Sequence, residues 1–201
     1  MFFRARTHRR RVSRRNNYMK TLNIFGNDVS AKAIARAAGA FWGLVFITGS
    51  YSLFAGSAAG VSAKVAELAS PILYAVSTVL IYFLLRPVNQ TVSLIAMLFG
   101  LAGCAISLTG AADKIGIRDL VVFGGHCLLV GYLIIRSGYI PRVIGALLMF
   151  GGIGWLTFAW SPLSKALAPY NFMPGMLGEG VLILWLLIVG VSSKNYNENE
   201  A

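Results

Sequence analysis

The stretch VSLIAMLFGLAGCAISLTG, residues 92–110, carries no charged side chain and consists mostly of apolar and small residues. An α-helix rises about 1.5 Å per residue, so a helix of this length is close to the ~30 Å thickness of the hydrocarbon core of a bilayer. A helix also satisfies its own backbone N–H and C=O groups by internal hydrogen bonds, whereas lipid offers these groups no partners. We therefore predict that residues 92–110 cross a membrane.

Five other stretches have a similar length and apolar character, and mostly short polar turns join them. Pro87 and Pro141 end two of the helical segments, because proline disfavours helix in the residue before it. The six predicted spans are Ala38–Ala59, Ala66–Leu85, Val92–Gly110, Leu120–Ile135, Val143–Trp160 and Met176–Val191. The sequence thus predicts an all-α fold, an integral membrane bundle of about six transmembrane helices. They form one domain over residues 38–192, after a basic segment (1–37) and before a short polar tail (193–201).

The composition excludes a soluble globular domain. Hydrophobic residues make up 57% of the 201 residues and charged residues 12%, whereas soluble domains average roughly 45–50% and about 25%. A chain of this size cannot bury so much apolar surface inside itself, so the excess must face lipid. The lipid bilayer is therefore the first partner that the sequence predicts.

Basic residues are concentrated before the first span and in alternate loops. If the N-terminus is cytoplasmic, the inner segments hold fourteen Lys and Arg residues and the outer loops hold four. Cytoplasmic loops of membrane proteins carry such an excess. We therefore predict that both the N- and the C-terminus are cytoplasmic.

Seven of the first fifteen residues are arginines. We interpret this tract as a cytoplasmic retention signal whose charge also attracts anionic lipid; a nucleic-acid partner is not expected. A second interpretation is that the protein starts at Met19 and that residues 1–18 are a mis-assigned start. Without them, seven inner basic residues still face four outer ones, so the predicted orientation does not depend on the tract.

Two ionisable side chains lie well inside the apolar segments, His126 in the fourth and Glu179 in the sixth. Both positions fall in the outer half of the predicted bundle. An ionisable group within a membrane is costly unless it is paired or hydrated, which makes it a candidate functional residue. Neither residue has a strong polar partner one helical turn away. We therefore predict that His126 and Glu179 form an intramembrane polar pair, which either binds a ligand or only locks two helices together.

The remaining features of the sequence indicate structural roles in the bundle rather than a catalytic site. The sequence contains no HExxH, GxSxG or P-loop motif and no paired carboxylates. Cys104 and Cys127 have no metal-binding spacing and are expected to pack as small apolar residues. We assign no catalytic residue, no metal ligand and no cofactor. Six aromatic residues near predicted helix ends are expected to anchor the bundle at the membrane interfaces: Trp42, Tyr51, Tyr82, Tyr139, Trp160 and Tyr170.

Four stretches carry a resemblance to a known family. They are ARAAG at residues 35–39, YFLLRPVNQT at 82–91, GHCLLVGYLIIRSGYIPR at 125–142, and residues 178–187, which begin with Gly-Glu and end with Leu-Trp-Leu-Leu. Together they resemble the bacterial and archaeal membrane family called domain of unknown function 4386 (DUF4386), over roughly residues 30–192.

The resemblance implies a six-helix, multi-pass protein of a prokaryotic plasma (inner) membrane with no assigned activity. His126 and Glu179 both fall on motif positions of the family. The arginine-rich residues 1–18 depart from the family pattern, which favours Met19 as the start. The resemblance also implies an inner-loop motif made of Arg86, Pro87, Arg136, Pro141 and Arg142.

Three functions stay open. The first is a small-solute carrier or binding protein with a polar site in the outer half of the bundle, lined by His126 and Glu179. The second is a non-catalytic structural or regulatory membrane subunit, as a homo-oligomer or with another membrane subunit. The third, an intramembrane enzyme, is the least supported, because the sequence offers neither a nucleophile nor a complete metal shell. A water-accessible cavity around the two residues would favour the first or third function, and a dry, closed pair the second.

Reporter fusions test the predicted orientation. A reporter fused after Arg86, Arg142 or Lys194 should be cytoplasmic, and one fused after Lys114 should be external, because the inner loops carry the excess of positive charge. An external C-terminus would contradict the prediction.

Overall fold

The computed structural model describes residues 21–24, 27–55 and 60–191. An antiparallel hairpin of two short strands, β1 (Thr21–Ile24) and β2 (Asn27–Ser30), precedes the helices. The helices are α1 (Ala31–Ala55), α2 (Gly60–Leu85), α3 (Gln90–Thr109), α4 (Ala112–Ile115), α5 (Asp119–Ser137), α6 (Arg142–Leu156), α7 (Ser161–Leu167) and α8 (Met173–Ile188). Short 3-10 turns at Thr157–Ala159 and Tyr170–Phe172 flank α7. The basic tract at residues 1–18 and the tail at 193–201 lie outside the described residues.

Six helical segments are long and apolar enough to cross a membrane: α1, α2, α3, α5, α6 with the 3-10 turn that follows it, and α8 with the 3-10 turn that precedes it. Large apolar side chains on their outer faces are exposed, among them Ile47, Ile72, Leu98, Ile153 and Ile188. A bilayer covers such a surface, whereas water would not tolerate it over whole helix faces. The prediction of an all-α membrane bundle with six spans is confirmed.

The first span begins earlier than predicted. α1 starts at Ala31, so the predicted domain boundary at residue 37 falls inside this helix. Ile34, Ala35 and Ala38 are buried in the bundle, while Lys32 and Arg36 point away from it. The two cations lower the average hydropathy of this turn, although one of its faces is fully packed. The Ser30 hydroxyl accepts a hydrogen bond from the Ala33 N–H (3.2 Å) and so caps the start of α1.

The six spans form a closed ring in chain order. Each of α1, α2, α3, α5 and α6 packs against the next span, and α8 returns to pack against α1. We call the end of the ring that contains the start of α1 and the turns near Pro87 and Pro141 the proximal end. The opposite end, with Gly60 and Asp119 at the starts of α2 and α5, is the distal end.

The proximal end is tightly packed. Tyr139 follows α5 and is only 3% exposed, and its hydroxyl donates a hydrogen bond to the Leu84 carbonyl of α2 (2.7 Å). The Ser93 hydroxyl donates to the Tyr82 carbonyl in the same region (3.2 Å). The prediction that Tyr139 anchors the bundle at the membrane surface is wrong. Its side chain is buried, and its hydroxyl donates a hydrogen bond to a backbone carbonyl at the end of α2 instead.

Glycines allow α5 and α6 to approach closely. A Cβ atom added to Gly131 would lie 2.6 Å from the Gly145 carbonyl oxygen, and a Cβ atom added to Gly124 would lie 2.8 Å from the Gly152 carbonyl oxygen. Backbone carbonyls cannot move aside as a flexible side chain can. Small residues of this kind let membrane helices associate through backbone contact.

We expect Gly131→Ala to lower the free energy of unfolding by roughly 1–3 kcal/mol, because the new methyl group overpacks the α5–α6 contact. Gly180→Ala is the matched control, since a Cβ atom there would meet no atom within 4 Å. Unfolding of both variants in mixed micelles, followed by circular dichroism, measures the difference. Equal effects of the two substitutions would contradict the proposed closeness of α5 and α6.

Candidate functional site

Two tryptophans hold the carboxyl group of Glu179 inside the ring. The indole N–H of Trp42 donates to Oε2 (2.9 Å), and the indole N–H of Trp155 donates to Oε1 (2.7 Å). The three residues come from α1, α6 and α8, which are neighbours in the ring. Each carboxyl oxygen atom thus accepts one indole N–H, which offsets part of the cost of taking this group out of water.

The predicted role of Trp42 as an interface anchor is wrong. Trp42 is 1% exposed and lies on the buried face of α1, one turn after Ala38 and two turns after Ala35. The error follows from the predicted start of the first span at Ala38, which put Trp42 near a helix end. Because α1 begins at Ala31, this residue lies well inside the span and its indole reaches the core.

Further aromatic and polar side chains surround the carboxyl group. The sulfur of Cys127 lies 4.0 Å from Glu179 Oε1. The ring of Tyr74 packs edge-on against Trp42 (5.5 Å between centroids) and also contacts Phe123 (4.7 Å). The Tyr74 hydroxyl lies near Cys127 but makes no hydrogen bond of ordinary geometry within the described part of the chain.

A cavity of about 620 Å³ extends from Glu179 towards the distal end. Glu179 is only partly buried, because it lines this space. The aromatic rings of Phe46, Tyr74, Phe123, Trp155 and Phe172 also line the cavity. Lys64, Glu67 and Asp119 lie near its opening, at the ends of helices where the bundle meets solvent.

His126 lies beside this site rather than in the lining of the cavity. It is 1% exposed, and its Nδ1 atom lies 2.7 Å from the Ala96 carbonyl oxygen, so Nδ1 carries the proton of that hydrogen bond. Its Nε2 atom is buried without a partner among the described residues. No hydrogen bond joins His126 directly to Glu179 there, but the Trp42 ring contacts the His126 ring (6.1 Å between centroids). Coupling between His126 and Glu179 stays a prediction, with Trp42 as the residue that touches both.

The five residues of the inner-loop motif lie at the proximal end, away from the cavity. Pro87 is in the turn between α2 and α3, and Pro141 directly precedes α6. The Arg86 guanidinium stacks over the Phe83 ring (5.1 Å). Arg136 and Arg142 are exposed on either side of the α5–α6 turn. The motif therefore shapes the turns and carries charge, and it does not contribute side chains to the cavity.

Sequence reasoning singled out Glu179 and His126 as candidates but missed the residues that surround Glu179. Trp42, Tyr74, Cys127 and Trp155 come from four different helices, and no spacing along the chain connects them. Cys127 was expected only to pack, and it is fully buried. The described residues contain no group of three or more His, Cys, Asp or Glu side chains that could hold a metal ion.

Replacing one tryptophan by phenylalanine tests how much its hydrogen bond to Glu179 stabilises the protein. Trp42→Phe and Trp155→Phe should each lower the free energy of unfolding by roughly 0.5–2 kcal/mol, because each removes the indole N–H that donates to one carboxyl oxygen. Trp185→Phe is the matched control, since the Trp185 indole N–H is buried without a hydrogen-bond partner in the described part of the chain. Equal losses in all three variants, measured by denaturation in mixed micelles, would show that ring packing and not the hydrogen bond matters.

Comparisons with known proteins agree with the resemblance seen in the sequence. A family model described as "Domain of unknown function (DUF4386)" matches residues 117–190, which include α5, α6 and α8. An uncharacterized protein of Archaeoglobus fulgidus is 35% identical over 124 residues, which cover 56% of this chain and 74% of the relative. No solved structure matches the chain significantly. The chain is therefore a multi-pass membrane protein that belongs to the DUF4386 family.

Proposed function

We propose that this protein binds a small solute in the distal cavity, as a solute-binding protein or carrier of the plasma membrane. The observation that carries the proposal is the cavity of about 620 Å³ with Glu179 among the residues that line it. Small-molecule sites typically enclose about 300–1,000 Å³, are mostly apolar and contain a few polar groups that orient the ligand. The distal cavity has these properties.

The partial exposure of Glu179 supports binding rather than a purely structural role. A polar residue that only locked helices together would be expected in a dry, closed contact. Trp42 and Trp155 each donate to one oxygen atom of Glu179, yet the residue still faces the cavity. A carboxylate has about four acceptor positions, so acceptor capacity is left for a solute.

Transport would require a second state that opens at the proximal end. In the described state the core on the proximal side of Glu179 is filled by leucines of four helices that are completely buried: Leu84, Leu133, Leu148, Leu182 and Leu186. Under the orientation predicted from charge, the distal cavity faces the outside of the cell. A carrier would therefore be outward-facing in this conformation.

Thiol labelling tests access to the cavity. Ser70 lines the cavity on α2, and Ser77 lies two turns further along the same helix and is 1% exposed. Neutral, water-soluble N-ethylmaleimide should modify a Ser70→Cys variant and leave the matched Ser77→Cys variant unmodified. The wild type, in which Cys104 and Cys127 are buried, provides the background rate.

The same variant tests binding. Solutes that occupy the cavity should raise the midpoint temperature of unfolding of the unlabelled Ser70→Cys protein, because a ligand stabilises the state that binds it. Modification with N-ethylmaleimide should abolish this shift. The proposal is wrong if the Ser70→Cys thiol does not react, or if labelled and unlabelled proteins respond alike to every stabilising solute.

A further inference from the structure

We infer that the ligand of the distal cavity is an organic ammonium ion, a protonated amine whose carbon body lies against the aromatic walls. This inference rests on the proposed binding function and names the chemical class of its solute. It combines three features of the cavity: a carboxyl group without a counter-ion, an excess of acidic over basic side chains in the lining, and a wall of aromatic rings.

The carboxyl group of Glu179 has hydrogen-bond donors but no counter-ion. Indole N–H groups donate without carrying a positive charge, and no lysine or arginine within the described ranges forms an ion pair with Glu179. Lys64 is paired instead with Glu67 (3.1 Å) near the opening. An ionised carboxylate in such a setting is stabilised by a ligand that itself carries a positive charge.

The charged side chains that line the cavity also favour a positively charged ligand. One lysine, Lys64, stands against three carboxyl groups, those of Glu67, Asp119 and Glu179. Walls of low polarity concentrate the field of such groups in a cleft. Cations are therefore drawn towards the cavity, and anions are repelled from it.

The hydrogen-bonding capacity of the lining matches an ammonium group that carries N–H donors. Each oxygen atom of Glu179 accepts one indole N–H and retains further acceptor capacity. A primary ammonium has three N–H donors and no acceptor, so the remaining acceptor positions of the carboxylate can receive hydrogen bonds from it.

Aromatic rings complete the recognition of a cation with an apolar body. Phe46, Tyr74, Phe123, Trp155 and Phe172 all line the cavity. Ring faces attract cations electrostatically, and the same surfaces remove hydrocarbon from water. A bare metal ion would gain little here, because hard cations require six or more oxygen ligands, whereas an organic cation uses both the charge and the rings.

A series of three probes of nearly the same shape tests the inference. Phenethylammonium, 2-phenylethanol and phenylacetate are positive, neutral and negative at neutral pH. Titration calorimetry on the wild-type protein should find that phenethylammonium binds at least about tenfold more tightly than 2-phenylethanol, and that phenylacetate does not bind. Glu179→Gln keeps the size of the side chain and removes its charge, so this variant should lose the preference for the ammonium probe.

The inference is overturned if 2-phenylethanol or phenylacetate binds as tightly as phenethylammonium, if none of the three probes binds, or if Glu179→Gln retains the preference. The comparison of probes on the wild type remains decisive even if the variant does not fold. These results leave the proposed function intact if the Ser70→Cys thiol is accessible and its labelling blocks stabilisation by other solutes. If the Ser70→Cys thiol is unreactive, both the proposed function and this inference are wrong.

Reaction rates at the Ser70→Cys thiol provide a second measurement that needs no prior ligand. A trimethylammonium-bearing methanethiosulfonate should react at least about tenfold faster than its sulfonate-bearing counterpart, after correction for their rates with a free thiol in solution. Glu179→Gln in the same background should reduce this ratio. A corrected ratio of one, or one unchanged by Glu179→Gln, would contradict the inference.

Discussion

Placing the Glu179 carboxyl group inside a ring of apolar helices costs free energy, because lipid and apolar side chains cannot replace its hydration. The structure meets this constraint with two indole N–H donors and a cavity that reaches the distal end. Tryptophan suits this position, since one side chain supplies a donor and a large apolar surface at once. The polar site can therefore exist without breaking the apolar packing around it.

The same hydrogen bonds help to close the ring. Trp42 belongs to the first span and Glu179 to the last, so the contact between them joins the two ends of the membrane-spanning chain. A Cβ atom added to Gly39 would lie 2.8 Å from Leu186 Cβ, which shows how closely α1 and α8 approach on the proximal side of this contact. Close backbone contact and a polar link thus support one another at this interface.

The two ends of the ring differ in their packing, and this difference bears on function. The proximal end is filled by buried leucines and by the hydrogen bond from Tyr139 to Leu84. The distal end holds the cavity and the charged residues near its opening. A bundle that is packed at one end and holds a cavity at the other is compatible with the proposed solute-binding role.

The sequence by itself determined the membrane-spanning architecture and pointed to Glu179 and His126. Hydropathy is a local property, so six apolar stretches and two ionisable interruptions can be read residue by residue. The start of α1 was missed because Lys32 and Arg36 reduce the local average, although Ile34 and its neighbours on the same face are buried.

Only the tertiary structure decided which side chains meet. Trp42 and Trp155 lie more than a hundred residues apart along the chain, yet both donate to Glu179. His126 is paired with the backbone of Ala96 and stands outside the lining of the cavity. These contacts depend on how each helix is rotated about its axis and how closely it approaches its neighbours. Both quantities follow from side-chain packing across the whole ring, which the apolar pattern of a single segment does not contain.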